Sequence, residues 1–349
     1  MLLEREQQPG YHTTGRSAAI YLETIGPRTV TVMSKVSGTF FHHPPAGFTD
    51  TPLIKPLGSM FVANADQIED LERAFAEFSQ LSDTVELIEA ERAVSLVPSL
   101  DRNYIAAAIY DSSAMDMDVN AIHMGYLRHA RAEGLELINN ADVLALNYDN
   151  SHWQVTTSGG DFAAPIIINA AGAWADVIAE LGGVRTIGLV PKRRTAVVFN
   201  PPANIDTTTW CAVADCQEQW YLKPDAGQIL ASPADETPVP PQDVQPEELD
   251  VAILIDRLET ATTLEIKRIN RSWAGLRSFV ADKSPIVGFA PDAEGFFWLA
   301  GQGGFGIQTS YAMGMTAAAL VTGKELPREV ADFGIGADAL APQRLWESH

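Results

Sequence analysis

Apolar residues change period along this chain, and each change marks an element. Met1-Leu2-Leu3 is a short apolar strand ending in Glu4, followed by a loop rich in Gly, His and Thr. Gly15-Arg16-Ser17-Ala18-Ala19 then reads as a helix start, with small residues that let backbone N–H groups approach a ligand. From Pro27, the spacing of Val30, Val32, Met33 and Val36 predicts a helix, stopped by Pro44, Pro45 and Gly47. His42-His43 therefore reads as a helix end, not a metal site. Residues 52–63 read as a strand pair. Leu71, Ala74, Phe75 and Phe78 fall at helical spacing behind Asp66, the expected cap of a helix to residue 82. A short helix over 89–98, a strand over 104–110 and an Asp118-capped helix ended by Gly134 follow.

Strands are predicted over 135–138, 142–148 and 152–157, with Gly159-Gly160 as a hairpin turn. Pro165-Ile166-Ile167-Ile168-Asn169 is a continuous apolar run, the pattern of a strand buried on both faces. It breaks at Ala170-Ala171-Gly172 and continues as a helix to Leu181. Strands dominate 189–280, notably 197–199, 219–222 and 228–232. Residues 233–246 are acidic and Pro-rich, hence a loop, and 249–261 are helical. Residues 268–280 read as two strands bent at a glycine. Strands over 285–289 and 296–300 flank a turn, and a glycine-rich loop over 301–309 feeds a small-residue helix over 312–322. There is no internal repeat. The order is βα units interrupted twice by mostly antiparallel inserts.

Composition narrows the function. The 349 residues suffice for two domains, and 46% hydrophobic content supports a large core. A formal charge of −21 disfavours nucleic acid and anionic membrane surfaces as partners. A small anionic substrate would then need a local basic pocket. No signal-peptide pattern and no apolar run of transmembrane length are present, and the expected location is cytoplasmic. Cys211 and Cys216 are too few for a disulfide framework or a zinc site, so no metal is expected.

Six segments carry chemistry. They are the Leu2–Tyr21 stretch, Asn169-Ala170-Ala171-Gly172-Ala173-Trp174, Pro191-Lys192-Arg193-Arg194 and Trp220-Tyr221-Leu222-Lys223-Pro224. The other two are Gly275-Leu276-Arg277-Ser278 with Asp282-Lys283-Ser284-Pro285-Ile286-Val287-Gly288, and Gly301-Gln302-Gly303-Gly304-Phe305-Gly306-Ile307-Gln308-Thr309. In this order they resemble the FAD-dependent amino-acid oxidoreductases that include D-amino acid oxidase and glycine oxidase. Locally they are most similar to D-arginine dehydrogenase-like D-amino acid dehydrogenases.

The resemblance implies an α/β fold with an α+β insert. A Rossmann-like FAD-binding domain (1–50, 112–186 and 286–349) would interleave with a mostly antiparallel substrate domain (51–111 and 187–285). It implies non-covalent FAD, with Glu4 at the adenosine ribose. Arg5, Gly15, Arg16, Ser17, Ala18, Val143, Ala170, Ala171, Gly172, Trp174, Gly303, Gly304, Gly306, Ile307, Gln308 and Thr309 are the other expected cofactor contacts. The helix expected to start at Ile307 and Gln308 would favour reduced, anionic flavin. A G-x-G-x-x-G loop should lie about 20 residues before the ribose acid. Roughly 25–30 residues carrying a first strand and that loop are therefore expected upstream of Met1. The given chain alone is then expected to be poorly soluble or colourless, and inactive.

The implied reaction is oxidation of a D-amino acid at Cα by hydride transfer to flavin N5. The imino acid would hydrolyse to a 2-oxo acid and ammonia, and a quinone, dye or oxygen would reoxidise the flavin. Arg277 and Arg194 would fork the substrate carboxylate, with Tyr221 and Gln308 as supporting donors. A secondary-amine or 2-hydroxyacid oxidoreductase and an inactive fragment are the alternatives. Ser59 stands where the arginine-specific relative carries Glu, and Ile20 and Ile25 where it carries His and Tyr. That puts D-arginine in doubt and favours neutral or aliphatic side chains.

Overall fold

The computed structural model describes residues 1–203 and 205–346. β1 (Leu2–Leu3) leads through a loop with one 3-10 turn, Thr14–Arg16, to β2 (Ile20–Tyr21) and α1 (Arg28–His42). β3 (Ile54–Pro56) and β4 (Ser59–Ala63) precede α2 (Ile68–Phe78), β5 (Val85–Glu89), α3 (Ala90–Leu96), β6 (Ala107–Asp111), β7 (Met115–Met117) and α4 (Val119–Ala132). β8 (Leu137–Ile138), β9 (Val143–Asp149), β10 (His152–Thr157), β11 (Gly160–Ala164), β12 (Ile167–Asn169) and α5 (Ala175–Leu181) follow. The chain then forms β13 (Val190–Phe199), β14 (Ala212–Asp215), β15 (Tyr221–Asp225), β16 (Gln228–Ser232), α6 (Glu248–Ala261) and β17 (Arg271–Phe279). It closes with β18 (Ile286–Phe289), β19 (Phe296–Ala300), α7 (Ser310–Val321) and α8 (Arg328–Ala331).

The dominant layer is an eight-stranded sheet in the order β17-β13-β16-β15-β14-β4-β6-β5. It is antiparallel except where β14 runs parallel to β4, so the fold is mixed α/β with a large, mostly antiparallel sheet. One core joins its inward residues Met60, Val213, Leu222 and Trp220 to Leu254 and Leu258 of α6. A second set of strands is short and partly parallel: β1 beside β8, and β12 beside β19, which pairs with β18. Trp153, Phe296 and Trp298 fill the core beneath these strands. α1 and α7 pack together over Val287 and Phe297.

Several sequence expectations need correction. Gly15 to Ala19 does not begin a helix: after the 3-10 turn, Ser17 is extended and Ala19 adopts a left-handed φ of 40°. Asp66 does not cap the amphipathic helix: Asn64 caps the 3-10 turn Ala65–Gln67 that leads into it, through a reciprocal capping box with Gln67, and α2 itself has no side-chain cap. β17 runs unbroken through Gly275, so 268–280 are not two strands. β12 is not buried on both faces, because Ile168 is 49% exposed. α7 begins at Ser310, after Ile307 and Gln308.

Candidate active site

A cavity of about 310 Å³ lies between one face of the large sheet and the segments 13–27 and 304–308. The register of β13 against β17 explains which side chains enter it. Lys192 faces Arg277 and Arg194 faces Gly275 across the ladder. Side chains alternate along a strand, so Lys192, Arg194 and Arg277 share one face, and Arg193 takes the other. Arg194, Ala196, Val213, Tyr221, Arg277 and Phe279 line the cavity from the sheet. Ser17, Ala18, Ile20, Ile25, Gly304 and Ile307 line it from the opposite side.

The charges in this wall are unequally satisfied. Arg194 donates through Nη2 to Glu236 (3.1 Å), but its buried Nε has no hydrogen-bond partner among the described residues. Lys192 donates to the same carboxylate at 2.8 Å. Burial opposes ionisation of Glu236, but Lys192, Arg194 and Lys283 together overcome it and hold this carboxyl below its usual range. Arg277 has no ion pair and no hydrogen bond among the described residues. Desolvation, then the like charge of Arg194, loosens its hold on its proton. Its usual value is so high that it remains a cation.

Backbone shape sets where Arg277 lies. A Cβ on Gly304 would stand 2.8 Å from its Cζ and 2.9 Å from Nε and Nη1. Only glycine lets the guanidinium rest on that loop. Gly303 has a φ of 56° and donates its amide to the Ser278 carbonyl at 3.0 Å, tying the loop to β17. Ser17 and Ala18 approach from the other side, where the Ser17 hydroxyl accepts from the Ala19 amide (3.1 Å) and supports its left-handed backbone.

Two of the expected site residues line the cavity with side chains already engaged within the protein. Gln308 is 3% exposed, and its amide donates to the Leu22 carbonyl (3.1 Å) and Ser34 Oγ (2.7 Å). Its side-chain donors are committed, and they clamp the loop to α1. Arg16 donates to the carbonyls of Tyr11, Val244 and Ala274 and to Asp243. That guanidinium fastens the 10–19 loop to β17 and the acidic loop, leaving no fork for a cofactor. The Tyr221 hydroxyl has no partner among the described residues and faces the cavity. Thr309 Oγ1 donates to the Phe305 carbonyl at 2.9 Å, and Gly306 packs beside Gln302.

Glu4, Arg5 and the 170–174 turn gather away from this cavity, at the C-terminal ends of β1 and β12. The Glu4 carboxylate accepts from the Glu6 amide at 2.9 Å. The Arg5 guanidinium lies 4.8 Å from the Trp174 ring centre, and the His12 ring is also 4.8 Å from it. The loop after β1 thus meets the Ala170-Ala171-Gly172 turn. Gly172 has a φ of 56° and open space beside it, while Gly15 packs on the Gly10 carbonyl and Val143 packs in the core. Open α/β sheets place nucleotides outside the carboxyl ends of their parallel strands. This turn and the small-residue wall at Ser17, Ala18, Gly303 and Gly304 fit a dinucleotide with a planar ring system.

Sequence reasoning missed three charged cavity residues: Glu218, Glu236 and Lys283. Glu236 lay in a segment read only as an acidic loop. Glu218 and Lys283 both hold left-handed backbones, with φ of 56° and 57°. Nothing in their side chains signals that conformation.

The model of the FAD dependent oxidoreductase family (DAO) matches residues 1–320, and the chain belongs to that family. FAD is therefore its cofactor, and it is a flavin oxidoreductase. Glycine oxidase of Geobacillus kaustophilus (strain HTA426) is 25% identical over 293 residues, covering 83% of this chain and 74% of that protein. Two solved structures share the fold. The L-proline dehydrogenase from P. horikoshii has a TM-score of 0.80 at 21% identity, with 97% of this chain and 89% of that one covered. The glycine oxidase from Geobacillus kaustophilus has a TM-score of 0.80 at 21% identity, with 95% and 90% covered.

Proposed function

We propose that this chain oxidises small carboxylate-bearing amines at the carbon next to the amine, with D-amino acids as substrates. The observation that carries this is the pair of arginines in one cavity: Arg277 without a counter-ion and Arg194 with a buried, unpartnered Nε. Buried cations left unpaired are costly, and a ligand carboxylate relieves that cost. Two N–H donors in one plane hold a carboxylate better than any other side-chain arrangement.

FAD supplies the two-electron oxidant when bound. Residues of this chain do the positioning. Arg277 and Arg194 hold the carboxylate, and the Tyr221 hydroxyl completes its hydrogen bonds. Ile20, Ile25, Phe279 and Ile307 exclude water around the reacting carbon. The large sheet forms the substrate side, and the strands around β1 and β12 form the cofactor side. This is the reading that divides the chain into 51–111 with 187–285, and 1–50 with 112–186 and 286–349. The last three residues lie outside those described.

A second reading, oxidation of glycine or a secondary amine, is favoured by the relatives glycine oxidase and L-proline dehydrogenase. One assay separates them. The FAD-loaded protein is mixed anaerobically with D-leucine, D-arginine, glycine, sarcosine or L-proline, and flavin absorbance is followed. D-leucine is expected to bleach the flavin faster than glycine, sarcosine or L-proline. Bleaching by L-proline or sarcosine alone would replace the D-amino acid reading with the secondary-amine one.

A further inference from the structure

The turn between β14 and β15 holds one acidic side chain at the cavity in a backbone conformation that glutamate seldom adopts. Asp215, 2% exposed, organises this turn. Its Oδ2 accepts from the amides of Gln217 (2.9 Å) and Gln219 (3.2 Å), and its Oδ1 accepts from Gln67 Nε2 (2.8 Å). The Glu218 amide donates to the Asp215 carbonyl at 2.8 Å. Glu218 is thereby held at a φ of 56°. Strained backbones of this kind persist where the surroundings over-determine them, and they cluster at ligand sites.

Glu218 lines the cavity that contains Arg277, is exposed at its mouth, and makes no ion pair among the described residues. The other charged groups facing it are accounted for. Glu236 is engaged by Lys192 and Arg194, and it also feels the charge of Lys283. Arg277 feels the field of Glu218. The cavity is therefore dipolar: unsatisfied cations on the strands β13 and β17, and an unpaired carboxylate at the rim.

We propose that Glu218 is a specificity-determining residue: it favours a cationic group at the end of the substrate remote from the carboxylate, and rejects an anionic one. This rests on the reading that Arg277 and Arg194 hold the substrate carboxylate. It supplies the pocket carboxylate that Ser59 lacks, from a different strand connection. Short aliphatic side chains stay among Ile20 and Ile25, and long ones reach Glu218.

The test uses three ligands of equal chain length that differ only at the far end: 6-aminohexanoate, hexanoate and adipate. Each is titrated into the FAD-loaded protein, and dissociation constants are read from the flavin spectrum and from ligand-dependent melting. The wild type binds them in that order, with at least a tenfold spread from first to last. Glu218→Gln collapses the spread at least fivefold. Glu218→Asn, a residue that tolerates the left-handed backbone, does the same and separates loss of charge from loss of the turn. A spread unchanged in both variants, with hexanoate binding still abolished by Arg277→Met, overturns the role of Glu218 alone. Failure of all three ligands to bind the wild type overturns the arginine clamp, and this proposal with it.

Discussion

Arg193 and Arg194 are neighbours on one strand, yet they solve opposite problems. Arg193 points away from the cavity and is saturated: Glu247 and Asp250 lie at 2.7 Å and Asp235 at 3.4 Å. Arg194, one residue on, faces the cavity with a single acid and an orphaned Nε. Arg277, across the ladder on the same face, has no acid in contact among the described residues. The alternation of a β-strand separates the two surfaces. Where charge holds the fold together it is fully paired, and where it meets a ligand it is left open.

Breaking the saturated side should produce the largest effect. Arg193→Ala leaves the nearly buried Asp235 with only Thr195 as a partner and should cost about 3 kcal/mol of stability, the usual penalty for removing one partner of a buried pair. Denaturant unfolding of the FAD-loaded protein measures it, and carboxylate binding by the refolded variant should persist. On the open side, Gly304→Ala pushes a methyl against the Arg277 guanidinium. Carboxylate affinity should fall about tenfold, or roughly 1.4 kcal/mol, with little change in the unfolding midpoint. An unchanged affinity would show that Arg277 does not need its seat on the loop.

A smaller effect distinguishes the two sides by sign. Arg277→Met removes a desolvated, unpaired charge, so stability should hold or rise by about 1 kcal/mol. A loss as large as that of Arg193→Ala would mean that Arg277 is structural. The smallest effect concerns the loop after β1. His123 packs under Gly10 of this loop, and burial, only partly offset by Glu4, lowers its affinity for a proton. Its folded value lies below the ordinary 6.5, so its contribution is full above that pH and is lost as pH falls below it. His123→Gln should flatten the stability profile below about pH 6.5. An identical slope in the variant would remove His123 from the account.

Much of the architecture was legible because its periods are strong. The α4 cap at Asp118, the hairpin at Gly160 and the helices at 28–42 and 248–261 follow directly from caps, breakers and apolar spacing. The arginines of the cavity were legible through the resemblance of their flanking motifs. Long-range hydrogen bonding was not. Nothing local in Gln308 or Arg16 signals that Leu22, Ser34, Val244 and Ala274 would absorb their donors. Short strands such as β2, β7 and β14 also escaped, because two to four residues carry too little pattern and exist only through their partners.

The central claim is that the open arginines await a carboxylate, and one titration tests it most directly. Hexanoate is added to FAD-loaded wild type and to Arg277→Met, with melting temperature followed against ligand concentration. Wild-type protein should melt progressively higher as ligand saturates the folded state. The variant should remain folded and yellow but lose at least a hundredfold in affinity, about 2.7 kcal/mol, the scale of two charge-assisted hydrogen bonds. Equal ligand-dependent shifts in the two proteins would contradict the claim.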